Sequence, residues 1–320
     1  MELERIGILD PEGENLNPLT GKEYSSNYKF QATIGNKNNG GWSNLPMYKN
    51  EEHPPESIIQ DIIDNRVMII EAGTGNGKSV LVPKYALHAI NYEGKVVVTN
   101  PKRLPTRNNA AFAAFLLDVQ LGKEVGFQHQ GSELPNGKPS KSEDTKLLFS
   151  TDGTVAEVLK KNPLGTDYDI VIIDEAHERN TRIDLILLQM KNALRKNPNL
   201  KLIIMSATLP EGLFYNYYKE FKPKQIFLAA IPNYEVVKYY SEKKIKSSDI
   251  EKESVRVLFE EIILKDKPGD VLIFTTTLPK GVEICRMIEN RQRKEKTERI
   301  LCIPLSADVE DEETRKNATD

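Results

Sequence analysis

From residue 55 onward the chain alternates short, nearly unbroken apolar runs with stretches whose apolar residues return every third or fourth position. The runs are Val67-Met68-Ile69-Ile70, Lys95-Val96-Val97-Val98-Thr99, Lys146-Leu147-Leu148-Phe149-Ser150, Asp169-Ile170-Val171-Ile172-Ile173 and Lys201-Leu202-Ile203-Ile204-Met205. A strand with one wet face alternates polar and apolar residues, whereas a strand covered by helices on both faces does not. These runs therefore predict a parallel sheet in an α/β domain spanning residues 55–230. The intervening segments Asn108 to Leu117 and Ile183 to Leu194 predict amphipathic helices packed on that sheet. At Ile231-Pro232-Asn233 the pattern breaks, and a charged segment runs through Glu260. An apolar run at Asp270-Val271-Leu272-Ile273-Phe274, a helical stretch at Gly281 to Asn290 and another run at Ile300 to Leu305 then predict strand, helix, strand. That is the start of a second α/β domain over residues 231–320, and about 50 residues after its first strand fall short of the ~100–150 such a domain uses. The acidic run Glu310-Asp311-Glu312-Glu313 reads as a solvated helix start.

Residues 11–50 have neither period, and residues 1–54 read as a largely irregular extension. Their one apolar patch, Trp42 with Leu45, Pro46, Met47 and Tyr48, either docks on the next domain or sits in a solvent-facing loop, and no chemistry is assigned to it. Composition adds exclusions. With 39% hydrophobic and 28% charged residues, this is an ordinary globular chain. A net charge of −3 supplies no global field for an anionic partner, so phosphate binding must come from local groups. Cys285 and Cys302 form no CxxC pair and there are four histidines, so zinc and disulfide frameworks lack ligands and a reducing compartment is expected. Met1-Glu2-Leu3-Glu4 is acidic where a signal peptide is basic, and no ~18 apolar residues run together. The expectation is a soluble intracellular protein, in cytoplasm or nucleus, with no membrane partner.

Directly after the first apolar run stands Ala72-Gly73-Thr74-Gly75-Asn76-Gly77-Lys78-Ser79, followed by helical residues. Ala72 replaces the first glycine of the strict phosphate-loop pattern, where smallness matters more than a positive φ. The other requirements are met. Gly75 and Gly77 let successive N–H groups face a phosphate chain, Lys78 reaches the terminal phosphates, and Ser79 can hold Mg²⁺. The fourth apolar run ends in Asp174-Glu175-Ala176-His177, at a strand carboxyl end where open parallel sheets bind ligands. Asp174 is placed to hold Mg²⁺ through water, and Glu175 to polarise the water attacking the γ-phosphate of ATP.

The phosphate loop together with Asp174-Glu175-Ala176-His177-Glu178-Arg179 resembles the DEAH-box family of superfamily 2 helicases, ATP-driven motors acting mostly on RNA. Thr99-Asn100-Pro101-Lys102-Arg103 resembles that family's first nucleic-acid-contacting motif and Thr151-Asp152-Gly153 the next. Ser206-Ala207-Thr208 resembles its coupling element, and Thr181 and Asp184 fall where the family usually has Thr and Asp. The resemblance implies a P-loop NTPase with one RecA-like domain and the beginning of a second, truncated within it. It implies Lys78, Asp174, Glu175 and His177 as catalytic residues, with ATP and Mg²⁺ as cofactors. Thr99, Lys102, Arg103 and Thr151 are implied as sequence-independent contacts to single-stranded or partly duplex RNA, DNA being possible, and Ser206 and Thr208 as hydroxyls coupling hydrolysis to motion. An activating protein is a possible further partner.

The match departs from the family in three places. No arginine finger is identified: Arg291, Arg293 and Arg299 lie among glutamates and lysines. Phe112 stands where the family has a base-stacking arginine, and either stacks or fills the core. Gln128-His129-Gln130-Gly131 replaces a segment where the family places an RNA-contacting arginine. Two function classes follow: an ATP-dependent helicase or remodeller, and a nucleotide- and RNA-binding module with negligible turnover because the second domain is incomplete.

Overall fold

The computed structural model describes residues 10–34, 41–73, 75–134, 137–207, 212–229, 235–242, 244–297 and 300–305. Met1 to Glu4, Thr74, Thr208, Ile231-Pro232-Asn233, Arg299 and Glu310 to Glu313 lie outside them. The chain forms two compact units, Met1–Glu235 and Val236–Asp320.

The elements of the first unit run in chain order: α1 (Tyr28–Thr33), α2 (Pro55–Asp64), β1 (Val67–Ala72), α3 (Lys78–Ala89), β2 (Val96–Asn100), α4 (Arg103–Leu116), β3 (Val125–Gln128), β4 (Leu147–Thr151), α5 (Asp152–Lys161), β5 (Ile170–Ile173), α6 (Thr181–Lys196), β6 (Lys201–Ser206), α7 (Leu213–Tyr218) and β7 (Lys224–Leu228). The strands form one seven-stranded sheet, ordered β3-β4-β2-β5-β6-β1-β7, and every pairing is parallel. The five apolar runs are β1, β2, β4, β5 and β6, each within one or two residues of its expected bounds.

Their continuous hydrophobicity has the anticipated cause. Met68, Ile70 and Ala72 of β1 face one core with Val96 and Val98, Ile170 and Ile172, Ile203 and Met205, covered by α2, α3 and α4. Val67 and Ile69 face the other, with Val97, Val171, Ile173, Leu202 and Ile204, under α5, α6 and α7. Because side chains alternate across a strand, every apolar position of these five runs is buried on one face or the other.

The extension docks. Tyr28, Ala32, Trp42 and Met47 are buried in the α2–α4 layer, and Asn17 Nδ2 donates to Leu117 O at 2.8 Å. Trp42 covers Lys84 of α3, whose Nζ lies 3.9 Å from the ring centroid and donates to Leu116 O at 3.3 Å. No carboxylate counters Lys84 among the described residues, and burial lowers its pKa well below the ordinary lysine value. A desolvated cation–π contact returns about 2 kcal/mol, less than the several kcal/mol a buried charge costs. Lys84→Met is therefore expected to raise stability by about 1 kcal/mol or more in urea denaturation. The unfolded chain holds the Lys84 proton more tightly than the folded one, so the native protein gains stability as pH rises toward the ordinary lysine value. The Met variant lacks that rise.

The second unit holds α8 (Ile250–Val257), continued by a wider turn at Leu258–Ile262, and α9 (Leu278–Glu295), which meet over Val255, Leu258, Phe259, Ile284 and Ile288. The helix expected over Gly281 to Asn290 lies within α9. Two expectations are corrected. The runs 270–274 and 300–305 form no strand, and Leu272 and Phe274 are exposed; among the described residues of this unit neither has a sheet neighbour to satisfy its backbone or cover its side chains. The cysteines are not thiols either: Cys285 of α9 and Cys302 form a disulfide across a Cα–Cα distance of 5.5 Å. Among the described residues no helix is long and apolar enough to cross a membrane.

Candidate active site at the carboxyl edge of the sheet

In a parallel sheet all strands end at one edge, and the order of strands becomes the order of motifs along it. From the register, β4 ends at Thr151 beside Asn100 of β2, Thr99 of β2 pairs Ile173 of β5, Ile173 pairs Ile204 of β6, and Ser206 pairs Glu71 of β1. The phosphate loop follows β1, the acidic motif follows β5, and β6 stands between them. The residues expected to touch nucleic acid sit at the ends of β2 and β4, on the other side of β5.

Ala72 closes β1, and Gly77 caps α3 at φ +87°, a conformation that favours glycine. Lys78, the first residue of α3, is buried, with Nζ 3.7 Å from Glu175 Oε1. Glu175 adopts φ 51°, the left-handed region that costs a side-chain-bearing residue roughly 1–2 kcal/mol. That turn brings its carboxylate toward both Lys78 and His177, whose Nδ1 lies 3.4 Å from Glu175 Oε2. Asp174 is buried and accepts the Glu175 N–H at 2.9 Å. Its carboxyl is pushed up to about 6, first by burial and then by the Glu175 charge, while the Ser79 hydroxyl and Lys78 pull it down. The structure thus brings Lys78, Ser79, Asp174, Glu175 and His177 together.

Of the two hydroxyls expected to couple hydrolysis to motion, Thr208 lies outside the described residues and Ser206 is buried at the end of β6; next to it the Ala207 backbone N–H donates to His177 Nδ1 at 3.5 Å. Of the four residues expected to grip a nucleic-acid backbone, Lys102 and Arg103 are exposed at the start of α4. Thr151 is half-buried before α5, its hydroxyl 2.8 Å from that of Thr154. Thr99 is fully buried on a central strand under helices on both faces, its hydroxyl with no hydrogen-bond partner among the described residues. Phe112 is half-exposed on α4, which removes the core alternative, and Gln128 accepts Lys141 Nζ at 2.9 Å.

One residue escaped the sequence reading. Asn180 caps α6, its Oδ1 accepting the N–H groups of Arg182 at 3.0 Å and Ile183 at 2.9 Å, while its amide donates to Asp152 Oδ2 at 3.3 Å. Asp152 is buried, which raises its pKa against the lowering effect of Asn180. A single asparagine thereby ties the loop after β5 to the start of α5. The readable signal was an Asn directly before an amphipathic helix.

The DEAD/DEAH box helicase domain pattern matches residues 55–214. L540 of Acanthamoeba polyphaga mimivirus, named as an ATP-dependent RNA helicase, is 34% identical over 309 residues, covering 96% of this chain and 41% of its own length. The ATP-dependent RNA helicase HrpA of Borreliella burgdorferi is 31% identical over 267 residues, covering 82% of this chain and 30% of its own. The chain thus spans about two fifths or less of these relatives. Among solved structures, the Escherichia coli DEAH/RHA helicase HrpB superposes with a TM-score of 0.63 at 21% identity, over 85% of this chain and 32% of that one.

Proposed function

The chain belongs to the DEAD/DEAH box helicase family, and from that premise we propose that it is the nucleotide-hydrolysing part of an RNA helicase or remodeller. The observation that carries the reading is the convergence of Lys78, Ser79, Asp174 and Glu175 at the ends of β1 and β5, one strand apart, with exposed Lys102 and Arg103 further along the same edge. Lys78 holds the terminal phosphates of ATP from α3, beside the N–H groups of the loop. Glu175 orients the attacking water and takes its proton, and His177 sits between Glu175 and the β6 loop, its Nδ1 accepting the Ala207 N–H.

The donor set suits magnesium. Asp174 is a buried carboxylate whose raised pKa marks a charge short of compensation, and Ser79 offers a hydroxyl beside it. Among the described residues no cluster of three His, Cys, Asp or Glu forms a dedicated metal cage. One carboxylate and one hydroxyl are the sparse protein ligands Mg²⁺ accepts when phosphates and waters complete its shell. When bound, the ion would neutralise charge on the β- and γ-phosphates.

RNA is favoured as the partner because both named relatives are RNA helicases by name. Residues 231–320 are read as the interdomain crossing and the opening of a second RecA-like domain. The second reading, nucleotide and RNA binding with negligible turnover, is favoured by the helix pair of unit two, which carries no sheet among the described residues. The test is phosphate release with and without single-stranded RNA. The motor reading expects RNA to accelerate it, and unchanged release on RNA binding supports the binding module. In either case Lys102→Ala with Arg103→Ala is expected to weaken RNA binding evenly across sequences. Losing two phosphate contacts lowers the slope of log affinity against log salt by about 1.4. An unchanged slope removes the pair from the interface.

A further inference from the structure

The docked extension reaches the phosphate loop itself. A 3-10 turn at Trp42–Asn44 is fastened to the end of α1, Ser43 Oγ donating to Ala32 O at 2.8 Å and the Asn44 amide to Thr33 O. Trp42 is pinned between Lys84 of α3 and the edge of Tyr48, with ring centroids 5.3 Å apart. Between these anchors lie two contacts with the loop. A Cβ built on Gly77 would meet Leu45 Cδ1 at 2.7 Å, so the leucine occupies the space a side chain would need. Buried Met47 donates its backbone N–H to Asn76 O at 3.0 Å. Asn76 is itself buried, and its amide donates to Gly73 O and Ala229 O, each at 3.2 Å. The Asn76-Gly77 peptide is thus held by the extension, by the start of its own loop and by the residue after β7.

A phosphate loop works by aiming several N–H groups at one anion, and the glycines that permit this geometry also permit many others. Either the nucleotide orders the loop, which costs affinity, or the protein has ordered it beforehand. We infer that Leu45 and Met47 form a brace that preorganises the phosphate loop, making the extension a positioning element for nucleotide binding that does not itself touch nucleotide. The inference rests on the reading of residues 72–79 as an ATP site. Gly77 is constrained twice by it, through its φ of +87° and through the leucine seated against it.

The test is Leu45→Ala in the 320-residue chain, read as the dissociation constant for a fluorescent ADP analogue and as amide hydrogen exchange across residues 75–81 without nucleotide. If the competent loop falls to a tenth of the population, binding weakens about tenfold. Exchange at the loop should rise while β5 and β6 keep their protection, and Leu45→Met should restore both readouts. A merely structural role would lower the melting temperature and leave the affinity of the folded protein unchanged. Should the Ala variant fail to fold, Leu45→Val removes one methylene and is read the same way. A native chain that binds the analogue, with a variant that binds it equally, overturns the brace and leaves the ATP site standing. A native chain that does not bind it overturns both.

Discussion

Glu175→Gln is expected to lower ATP turnover by about 10²–10⁴, the usual contribution of a positioned general base, while leaving nucleotide affinity within about threefold, since no phosphate-binding donor is lost. Lys78→Ala should instead abolish detectable nucleotide binding. The contrast follows from position. Glu175 is swung by its left-handed turn to 3.7 Å from Lys78 and 3.4 Å from His177, at the carboxyl edge of β5. Glutamine keeps the length and planarity of that side chain and loses the capacity to accept a proton. Lys78 is buried at the first position of α3, where its ammonium adds to the partial positive charge of the helix start. Alanine removes the one full charge directed at the phosphates from that loop. Equilibrium binding of a fluorescent nucleotide, run beside single-turnover hydrolysis, separates the two effects. Normal turnover in Glu175→Gln would remove it as the base, and normal binding by Lys78→Ala would remove residues 72–79 as the nucleotide site.

The parts of this arrangement legible in the sequence were those written in local pattern. Val96 to Val98 and Ile170 to Ile173 are apolar on both strand faces because two different helical layers cover them, and that doubly buried signature is visible without coordinates. Edge strands carry a weaker signature. β3 is four residues with a glycine inside it, and β7 alternates buried Ile226 and Leu228 with exposed Phe227, so neither stood out as an apolar run. The extension failed for a different reason. Trp42 and Met47 are held by contacts with Lys84 and Asn76, residues far along the chain, and no periodicity records a contact of that kind. In the second unit the apolar residues of 270–274 have strand propensity, but propensity makes a strand only where a neighbour exists to pair with.

The same distinction applies inside the site. Residue types announced Lys78, Asp174 and Glu175, because their chemistry and order are themselves the motif. Thr99 belonged to a motif by its neighbours, yet its place one residue before the end of a central strand leaves it fully buried. Asn180 belonged to no motif, and it joins Asp152 to the helix following the acidic loop. The start of α5, next along the edge from Lys102 and Arg103, is thereby tied through Asp152 and Asn180 to the segment carrying the acidic residues.

Asp174→Asn is expected to stabilise the nucleotide-free protein at pH 7.5 by about 3 kcal/mol and to abolish magnesium-dependent turnover. The carboxyl is raised from an ordinary 3.8 to about 6, chiefly by burial and secondarily by the Glu175 charge. Each unit is worth about 1.4 kcal/mol. For a group raised on folding, the stabilising contribution is complete below the unfolded value near 3.8 and is lost as pH climbs through about 6. The native protein should accordingly lose stability from this group between about pH 4 and 7, and the difference between native and Asn variants should widen over that window and then level off. Asparagine is nearly isosteric and never charged, so it escapes the cost. It also gives up the charge for which the cost is borne: with Mg²⁺ and nucleotide present the ordering should reverse, the native protein gaining thermal stability from ligand while the variant gains little. Urea denaturation from pH 4 to 8, with and without Mg-ADP, reads both limbs. A variant no more stable than the native chain at pH 7.5 would show that solvent or a neighbour already compensates Asp174. A variant that is more stable and still responds fully to Mg-ADP would place the metal on other ligands.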